Sequence, residues 1–232
     1  MADTNKPSAS EKPAPQPKPP NIIASPPPTS NLCTSCNNPF KTRCSRCHNA
    51  RYCSPACQKK DWQYHKTVCP SYASLPPRPS PKHSLALHLP VDSCPAYIWL
   101  EHESPIYYHT TQNPKTYVGT NHMCRTISFD RYRPLHRLLG FNMAIWHADA
   151  FLLDGSAVNE SVREMLGPEV AHRWRGGFLV QGFDGGCYDD EQKPVDLDTM
   201  VMAPIVDFLR FTAKYHDVGY DFGWDGMGVA GE

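Results

Sequence analysis

The 232-residue sequence contains no run of about 18 apolar residues, which is the length that a membrane-spanning helix needs. The segment after Met1 also lacks the apolar stretch that a secretory signal requires. Lysine and arginine together number 23, as do aspartate and glutamate, so the chain as a whole has no excess of charge. These absences predict an intracellular protein of the nucleus, the cytoplasm or both, in a reducing environment.

Several signatures of common enzyme classes are missing too. There is no G-x-S-x-G nucleophile turn and no Walker-type phosphate loop. Residues 221–223 read Asp-Phe-Gly, as in kinases, but no HRD-type or glycine-rich loop precedes them. The isolated cysteines at 94, 124 and 187 and the scattered histidines show no spacing that pairs a nucleophile with a base. We therefore predict no catalytic site and no small-molecule substrate.

Cysteine, by contrast, is concentrated in one short segment. Seven of the ten cysteines and one histidine fall between residues 33 and 69. They form four pairs, each of which can supply two ligands to a tetrahedral ion. Two closed structural zinc sites need eight protein ligands, and thiols at CxxC spacing in a reducing compartment favour metal over disulfides. The sequence thus predicts two structural Zn²⁺ ions. The eight candidate ligands are Cys33, Cys36, Cys44, Cys47, Cys53, Cys57, His65 and Cys69.

The residues between these ligands add a family resemblance. Tyr52 precedes Cys53, Gln58 follows Cys57, and Trp62 stands three residues before His65. This pattern resembles the MYND-type zinc finger. The resemblance implies interleaved, cross-braced sites: one ion held by Cys33, Cys36, Cys53 and Cys57, the other by Cys44, Cys47, His65 and Cys69.

Such a finger is too small to fold on its apolar core alone. Zinc binding in finger peptides contributes roughly 10–16 kcal/mol, which becomes folding free energy. Ser54 and Pro55 predict the N-cap and first residue of a helix that runs to about Lys66. Residues 41–43 and 49–52 are candidates for a small two-stranded unit, which makes the predicted finger ββα-like.

Charge is uneven along the chain. Residues 33–69 carry a formal charge of +6, whereas residues 70–232 carry −7. Seven thiolates and two Zn²⁺ would reduce the charge of the finger to about +3. A nucleic-acid-associated regulator therefore remains an alternative, although nucleic-acid contact is not the favoured prediction. Packing of the acidic domain against the basic finger, and binding of the proline tail in the finger's groove, are two further hypotheses.

Proline marks the boundaries on both sides of the finger. Residues 1–31 are predicted to be a disordered, polyproline-like tail, and residues 71–83 a proline-rich linker or a ligand for a proline-binding module. The finger itself is assigned to residues 32–70, an α+β domain to residues 84–220, and a glycine-rich tail to residues 221–232.

The α+β prediction is based on a mixture of short strands and helices. The predicted strands are 95–100, 106–108, 123–129 and 177–183. Residues 143–153 fit a strand or a helix, and a strand is favoured because Asp154-Gly155-Ser156 then forms a turn. One predicted helix covers 159–166 and ends at Gly167-Pro168, and the clearest helix, 199–213, is capped by Asp198. The order of finger, proline linker and this domain is similar to that of a group of filamentous-fungal proteins, which implies no activity.

The MYND resemblance implies a protein–protein interaction adaptor that recognises proline-containing peptides, and transcriptional regulation is a setting that fits it. By motif position the peptide would contact Gln58 and Trp62, with Tyr52 as a supporting aromatic. Trp62 could instead belong to the finger's own core, and Gln58 could be a plain solvated residue. A SET-type lysine methyltransferase is a weaker alternative, because residues 121–124 resemble its NHxC element but lack the Pro-Asn pair that follows it.

Overall fold

The computed structural model describes residues 31–102, 114–119, 124–184 and 193–214. Its first part is the predicted ββα unit: strands β1 (Thr42–Arg43) and β2 (Arg51–Tyr52) pair antiparallel, and helix α1 (Pro55–Ala73) follows. Ser54 is the N-cap of α1, and its hydroxyl accepts a hydrogen bond from the amide of Cys57. The predicted helix start is therefore confirmed.

Helix α1 is longer than the sequence indicated. It ends at Ala73 rather than near Lys66 and continues through Pro70, which lies inside the helix. The reason is tertiary packing of its last turns. Val68 is fully buried in the main core of the molecule, and the Tyr72 ring makes an edge contact with Tyr97, 4.9 Å between centroids. This burial outweighs the hydrogen bond lost at the proline.

The second part is built on an antiparallel sheet with the strand order β4-β3-β7-β6-β5. Strand β7 is central: β6 pairs along one edge, and β3 and the short β8 share the other. All its residues but the last are buried, as expected for a strand covered on both faces. The bounds are β3 (His83–Leu89), β4 (Ala96–Glu101), β5 (Cys124–Tyr132), β6 (Arg137–Ala148), β7 (Phe178–Asp184) and β8 (Lys193–Val195).

Most helices pack on one face of this sheet. Helix α1 contacts β4, α3 and α5, so the finger's own helix helps to cover the main core. The short α2 lies on the opposite face, where Tyr117 packs with Ala86, Leu100 and Leu179. The bounds are α2 (Pro114–Val118), α3 (Glu160–Leu166), α4 (Pro168–Ala171) and α5 (Met202–Lys214), the last preceded by a 3₁₀ turn, Thr199–Val201.

The architecture confirms the α+β prediction and most of its elements, with differences in extent. Strand β6 was expected to run over 143–153 but begins at Arg137 and ends at Ala148, before a turn. Gly140, with a φ of 82°, gives β6 an irregular start that an alternation pattern does not reveal. Strands β3 and β8 and helix α2 were not predicted.

Other expectations are not addressed by the structure. Residues 1–30, the candidate strand 106–108 and the glycine-rich segment 221–232 lie outside the described residues. The domain boundaries stay a prediction, although the helix that begins in the finger ends within the proposed linker. In the described part of the chain, no helix has both the length and the apolar character needed to cross a membrane.

Candidate metal centres and interaction surface

The first candidate metal centre joins the loop before β1 to the start of α1. Cys33 and Cys36 come from the loop, Cys53 follows β2, and Cys57 is in the first turn of α1. The sulfur of Cys53 is 3.5 Å from those of Cys36 and Cys57, which are 3.8 Å from each other. A tetrahedral Zn²⁺ with bonds of about 2.3 Å separates its sulfurs by roughly 3.8 Å. The four thiols therefore fit one zinc ion.

The second centre is formed by the β1–β2 turn and the middle of α1. The Cys44 and Cys69 sulfurs are 3.8 Å apart, and the Cys47 sulfur is 3.5 Å from Nε2 of His65. All four residues are buried. In each centre the ligand atoms lie within 4.8 Å of one another. The two ligand sets alternate along the sequence, which is the cross-braced arrangement that the resemblance implied.

Protonation in these clusters is consistent with a cation at their centres. Burial raises the pKa of Cys36 and of Cys69 to about 12, so thiolates there need a positive ion beside them. Burial lowers the pKa of His65 to about 4, which keeps its imidazole neutral, as a metal ligand must be. The sulfur distances also exceed the roughly 2.05 Å of a disulfide bond. Two Zn²⁺ ions held by these eight residues would tie β1, β2 and α1 together.

Tyr52 lies inside the finger rather than on its surface. Its side chain is completely buried, and its hydroxyl donates a 2.6 Å hydrogen bond to the buried carboxylate of Asp61. Burial raises the pKa of Asp61 to about 6, although the bond from Tyr52 opposes that shift. The expectation that Tyr52 contacts a peptide is therefore corrected: it positions α1 against β2 from within.

Trp62 and Gln58 face outward one helical turn apart on α1. Trp62 is 44% exposed, and its ring lies 6.0 Å from that of His65, between centroids. Gln58 is exposed and lines a groove of about 400 Å³ beside β1. Trp62 therefore does not form the finger's core, which was the alternative for this residue; Tyr52 lies there instead. The outer edge of β1 has no strand partner among the described residues.

Arg137, which the sequence analysis did not single out, holds the first metal centre against the sheet. It is 6% exposed at the start of β6, and its Nε donates a 3.0 Å hydrogen bond to the side chain of Asn37. One terminal nitrogen donates to the carbonyls of Cys33, at 2.9 Å, and Cys36. Arg137 is one of three arginines within residues 131–137, and nothing in their spacing marks it for such a role.

The finger also contacts the segment before α5. Arg51 pairs with Asp198 at 2.9 Å, and the side-chain oxygen of Asn49 accepts hydrogen bonds from the amide and hydroxyl of Thr199, at 2.9 and 2.7 Å. Asp198 also caps this segment, as predicted, by accepting from the amide of Met200. The finger and the acidic domain thus meet through specific contacts, of which the Arg51–Asp198 pair joins opposite charges.

The family model of the MYND finger matches residues 33–69. Residues 33–69 are a MYND finger. The match runs from the first to the last of the eight ligands, and such fingers commonly serve as protein-interaction modules. The interleaved MYND ligand sets correspond to the two clusters that the structure brings together.

Curated proteins resemble this chain over stretches of about finger length. Ubiquitin C-terminal hydrolase 15 of Oryza sativa subsp. japonica is 55% identical over 38 residues, 16% of this chain and 4% of its own length. Tudor domain-containing protein 1 of Mus musculus is 46% identical over 44 residues, 19% of this chain and 4% of its own. Zinc finger MYND domain-containing protein 10 homolog of Drosophila melanogaster is 44% identical over 41 residues, which are 18% of this chain and 9% of its own length.

These relatives inform the MYND finger alone, because the chain spans less than a tenth of the length of each. No solved structure is significantly similar to the chain.

Proposed function

We propose that this protein is a non-enzymatic adaptor whose MYND finger binds a proline-containing peptide of a protein partner. The observation that carries the proposal is the outward position of Trp62. Among the described residues it is the one aromatic side chain in the group of large, exposed apolar residues. An exposed tryptophan offers a large, rigid apolar surface at low entropic cost, which is why this residue type is enriched at binding hot spots.

The groove beside β1, whose lining includes Gln58 one helical turn from Trp62, suits a peptide that accepts hydrogen bonds. Lys41, Arg43 and Gln58 line it, and each carries side-chain donors. Proline residues supply carbonyl acceptors but no N–H donors, so a proline-rich strand needs donors from its receptor. Such a strand is already extended and loses little entropy when it docks along an open strand edge.

Peptide binding to the full chain tests this proposal. A fluorescent proline-containing peptide would be titrated with the zinc-loaded protein and followed by anisotropy. Trp62→Ala is expected to weaken binding by at least about tenfold, as for a hot-spot residue. Gln58→Ala should weaken it by about threefold to tenfold, the value of one hydrogen bond.

Matched controls separate a binding role from general damage. Gln63→Ala changes the same residue type on the same helix, away from the groove beside β1, and Leu153→Ala removes an apolar side chain that is 90% exposed elsewhere. Both should bind like the parent. Absence of binding by the parent protein, or equal affinities for Trp62→Ala and Leu153→Ala, would exclude the proposed surface.

A nucleic-acid-associated regulator is the second candidate, since Lys41, Arg43 and Arg46 of the finger are exposed. It requires that affinity for DNA or RNA falls steeply with salt as counterions are released. The peptide adaptor should instead depend on Trp62 at every salt concentration. Either role is proposed for a reducing compartment, the nucleus or cytoplasm, because the zinc ligands are thiolates, and transcriptional regulation is one such role.

A further inference from the structure

A second groove lies between the MYND finger and the sheet domain. Two adjoining hollows, of about 490 and 240 Å³, share Pro134 and Asp207 in their walls. We call this combined space the junction groove. Its walls come from α1, from residues 131–138 between and within β5 and β6, and from α5. Its size is within the range of binding sites in proteins.

The junction groove is positively charged. Five cationic side chains line it against two carboxylates, Asp61 and Asp207, which leaves a formal charge of +3. Asp61 is 4% exposed and Arg137 is 6% exposed, and both are hydrogen-bonded within the protein, so neither contributes much to the accessible surface. The other four cations and Asp207 leave the same formal charge of +3. The five cations are Lys60, Arg131, Arg133, Arg137 and Arg210.

Aromatic rings hold two of these cations in place. The Arg210 guanidinium lies 5.1 Å from the ring centroid of Tyr64, and that of Arg133 lies 4.4 Å from Phe211. A guanidinium stacked on a ring keeps its N–H edge available for carboxylates. Tyr64 and Tyr132 also line the groove and add apolar surface. The groove therefore suits a segment that carries both carboxylates and aromatic side chains.

The chain itself supplies such a segment next to this groove. Helix α5 contributes Asp207 and Arg210 to the walls and ends at Lys214, about one turn beyond Arg210. Residues 215–232 follow and lie outside the described residues. They include four carboxylates, no lysine or arginine, and four large aromatic residues. These aromatic residues are Tyr215, Tyr220, Phe222 and Trp224.

We propose that residues 215–232 dock in the junction groove of the same molecule. Eighteen residues can extend to about 60 Å, so reach does not limit the contact. Because Lys60 belongs to the finger's helix and Arg131 to the sheet domain, the docked segment bridges the two parts. It also occupies a cationic surface that an acidic partner protein would otherwise reach.

Competition with a free peptide tests the docking. The probe is a fluorescent peptide of residues 215–232, added to the zinc-loaded full chain and to a neutral-tail variant, Asp217→Asn, Asp221→Asn, Asp225→Asn and Glu232→Gln. The neutral-tail chain is expected to bind the probe at least about tenfold more tightly than the parent, because a tethered copy competes at millimolar effective concentration. The same probe with all four carboxylates amidated should not bind.

Charge reversals locate the site within the neutral-tail chain. Arg131→Glu, in the larger hollow, and Lys60→Glu, in the smaller one, should each lower probe affinity by about fivefold or more, because a close charge contact is replaced by repulsion. Arg125→Glu on the same strand as Arg131, and Lys59→Glu beside Lys60, are the matched controls outside the groove. Zinc content and far-ultraviolet circular dichroism of every variant should equal those of the parent.

The proposal is overturned if parent and neutral-tail chains bind the probe equally or not at all. It is also overturned if the amidated probe binds with the same affinity as the acidic probe. The same holds if Arg125→Glu and Lys59→Glu lower probe affinity as much as Arg131→Glu and Lys60→Glu. If an acidic peptide of unrelated sequence binds with equal affinity, the groove is not specific for residues 215–232, and a separate acidic protein is its occupant instead.

Discussion

Replacing Arg137 with methionine should uncouple the MYND finger from the sheet. Methionine keeps an apolar stem of similar length but removes the donors to Asn37, Cys33 and Cys36. Two of these acceptors are backbone carbonyls of zinc-ligand residues, so the change also leaves the loop of the first metal centre without its support. We therefore expect both the folding stability and the zinc affinity to fall.

The magnitude follows from the three bonds and from the burial of Arg137. Hydrogen bonds from a charged donor contribute about 1.5–3 kcal/mol each, and desolvation of the guanidinium offsets part of that sum. Burial lowers the pKa of Arg137, whereas the negative charges of the Cys33 and Cys36 thiolates oppose that shift. A net loss of about 3–5 kcal/mol is reasonable for one partner removed from a buried charged network. Loss of support behind metal ligands weakens zinc binding by about 10–100-fold.

Two measurements check this expectation. Denaturant unfolding followed by tryptophan fluorescence gives the change in free energy, and competition with a coloured chelator gives the affinity of each zinc ion. The first ion, held by Cys33, Cys36, Cys53 and Cys57, should be released more readily than the second. Arg125→Met, at an arginine whose side chain is 64% exposed and which lies outside both grooves, should change stability by no more than about 1 kcal/mol. The reasoning fails if both variants unfold alike or if the two ions are weakened equally.

Four further predictions concern the finger and the core. Removal of zinc by a strong chelator should release two ions per chain and unfold the finger. Tyr52→Phe should lower stability by about 1–3 kcal/mol when Asp61 is ionised and by less when it is protonated. Val68→Ala should lower the free energy of unfolding of the whole protein by about 2–3 kcal/mol in one transition. Asn159→Ala should lower it by about 2–4 kcal/mol, because its side chain caps α3 and donates to two buried carbonyls.

The pH dependence of Tyr52→Phe has a definite sign. Burial raises the pKa of Asp61 from 3.8 to about 6, so the folded protein holds this proton more tightly than the unfolded chain. Ionisation of Asp61 therefore lowers stability as the pH rises from 3.8 to about 6. Without the Tyr52 hydroxyl the ionised carboxylate loses its donor and the pKa of Asp61 in the folded protein rises further, so this decline should extend to higher pH and be larger in total. A pH-independent effect of Tyr52→Phe would contradict the assignment.

The predictions for zinc removal, Val68→Ala and Asn159→Ala can each be contradicted by one result. A chelated protein with two zinc ions lost and its near-ultraviolet spectrum unchanged would show that the metal is not structural. Separate unfolding transitions in Val68→Ala would show that the finger and the sheet fold independently. Asn159→Ala should be compared with an exposed control such as Asn38→Ala, and equal stabilities would exclude the buried network.

The parts of the fold that follow local rules could be predicted from sequence. Ser54 and Pro55 mark the start of α1 because capping and proline geometry are local. The end of α1 depends on burial of Val68 and Tyr72 against strands far away in sequence, so a local reading stops too early. Strand β3 was missed because it is buried on both faces and lacks a clear alternation of polar and apolar residues.

The same distinction applies to the site. Metal ligands are recognisable because zinc requires particular residue types at short spacings. Arg137 is about 100 residues from the cysteine loop that it contacts, and the pair Arg51–Asp198 spans 147 positions. No spacing rule reaches such distances. Tyr52 was misplaced for a related reason: an aromatic residue beside a ligand can face either way, and only its bond to Asp61 settles the direction.

The partition of positive charge in the MYND finger explains why its sequence resembles a nucleic-acid patch. Four thiolates around one Zn²⁺ leave a charge of −2, and three thiolates with a neutral histidine leave −1. Arg137 lies against the first centre, while Arg51 is paired with Asp198. Part of the cationic charge on and around the finger is thus used internally, on metal centres and on the acidic domain. Of the remaining exposed cations of the finger, Lys41 and Arg43 line one groove and Lys60 lines the other. Mutations of Gln58 and Arg131 should therefore affect different ligands.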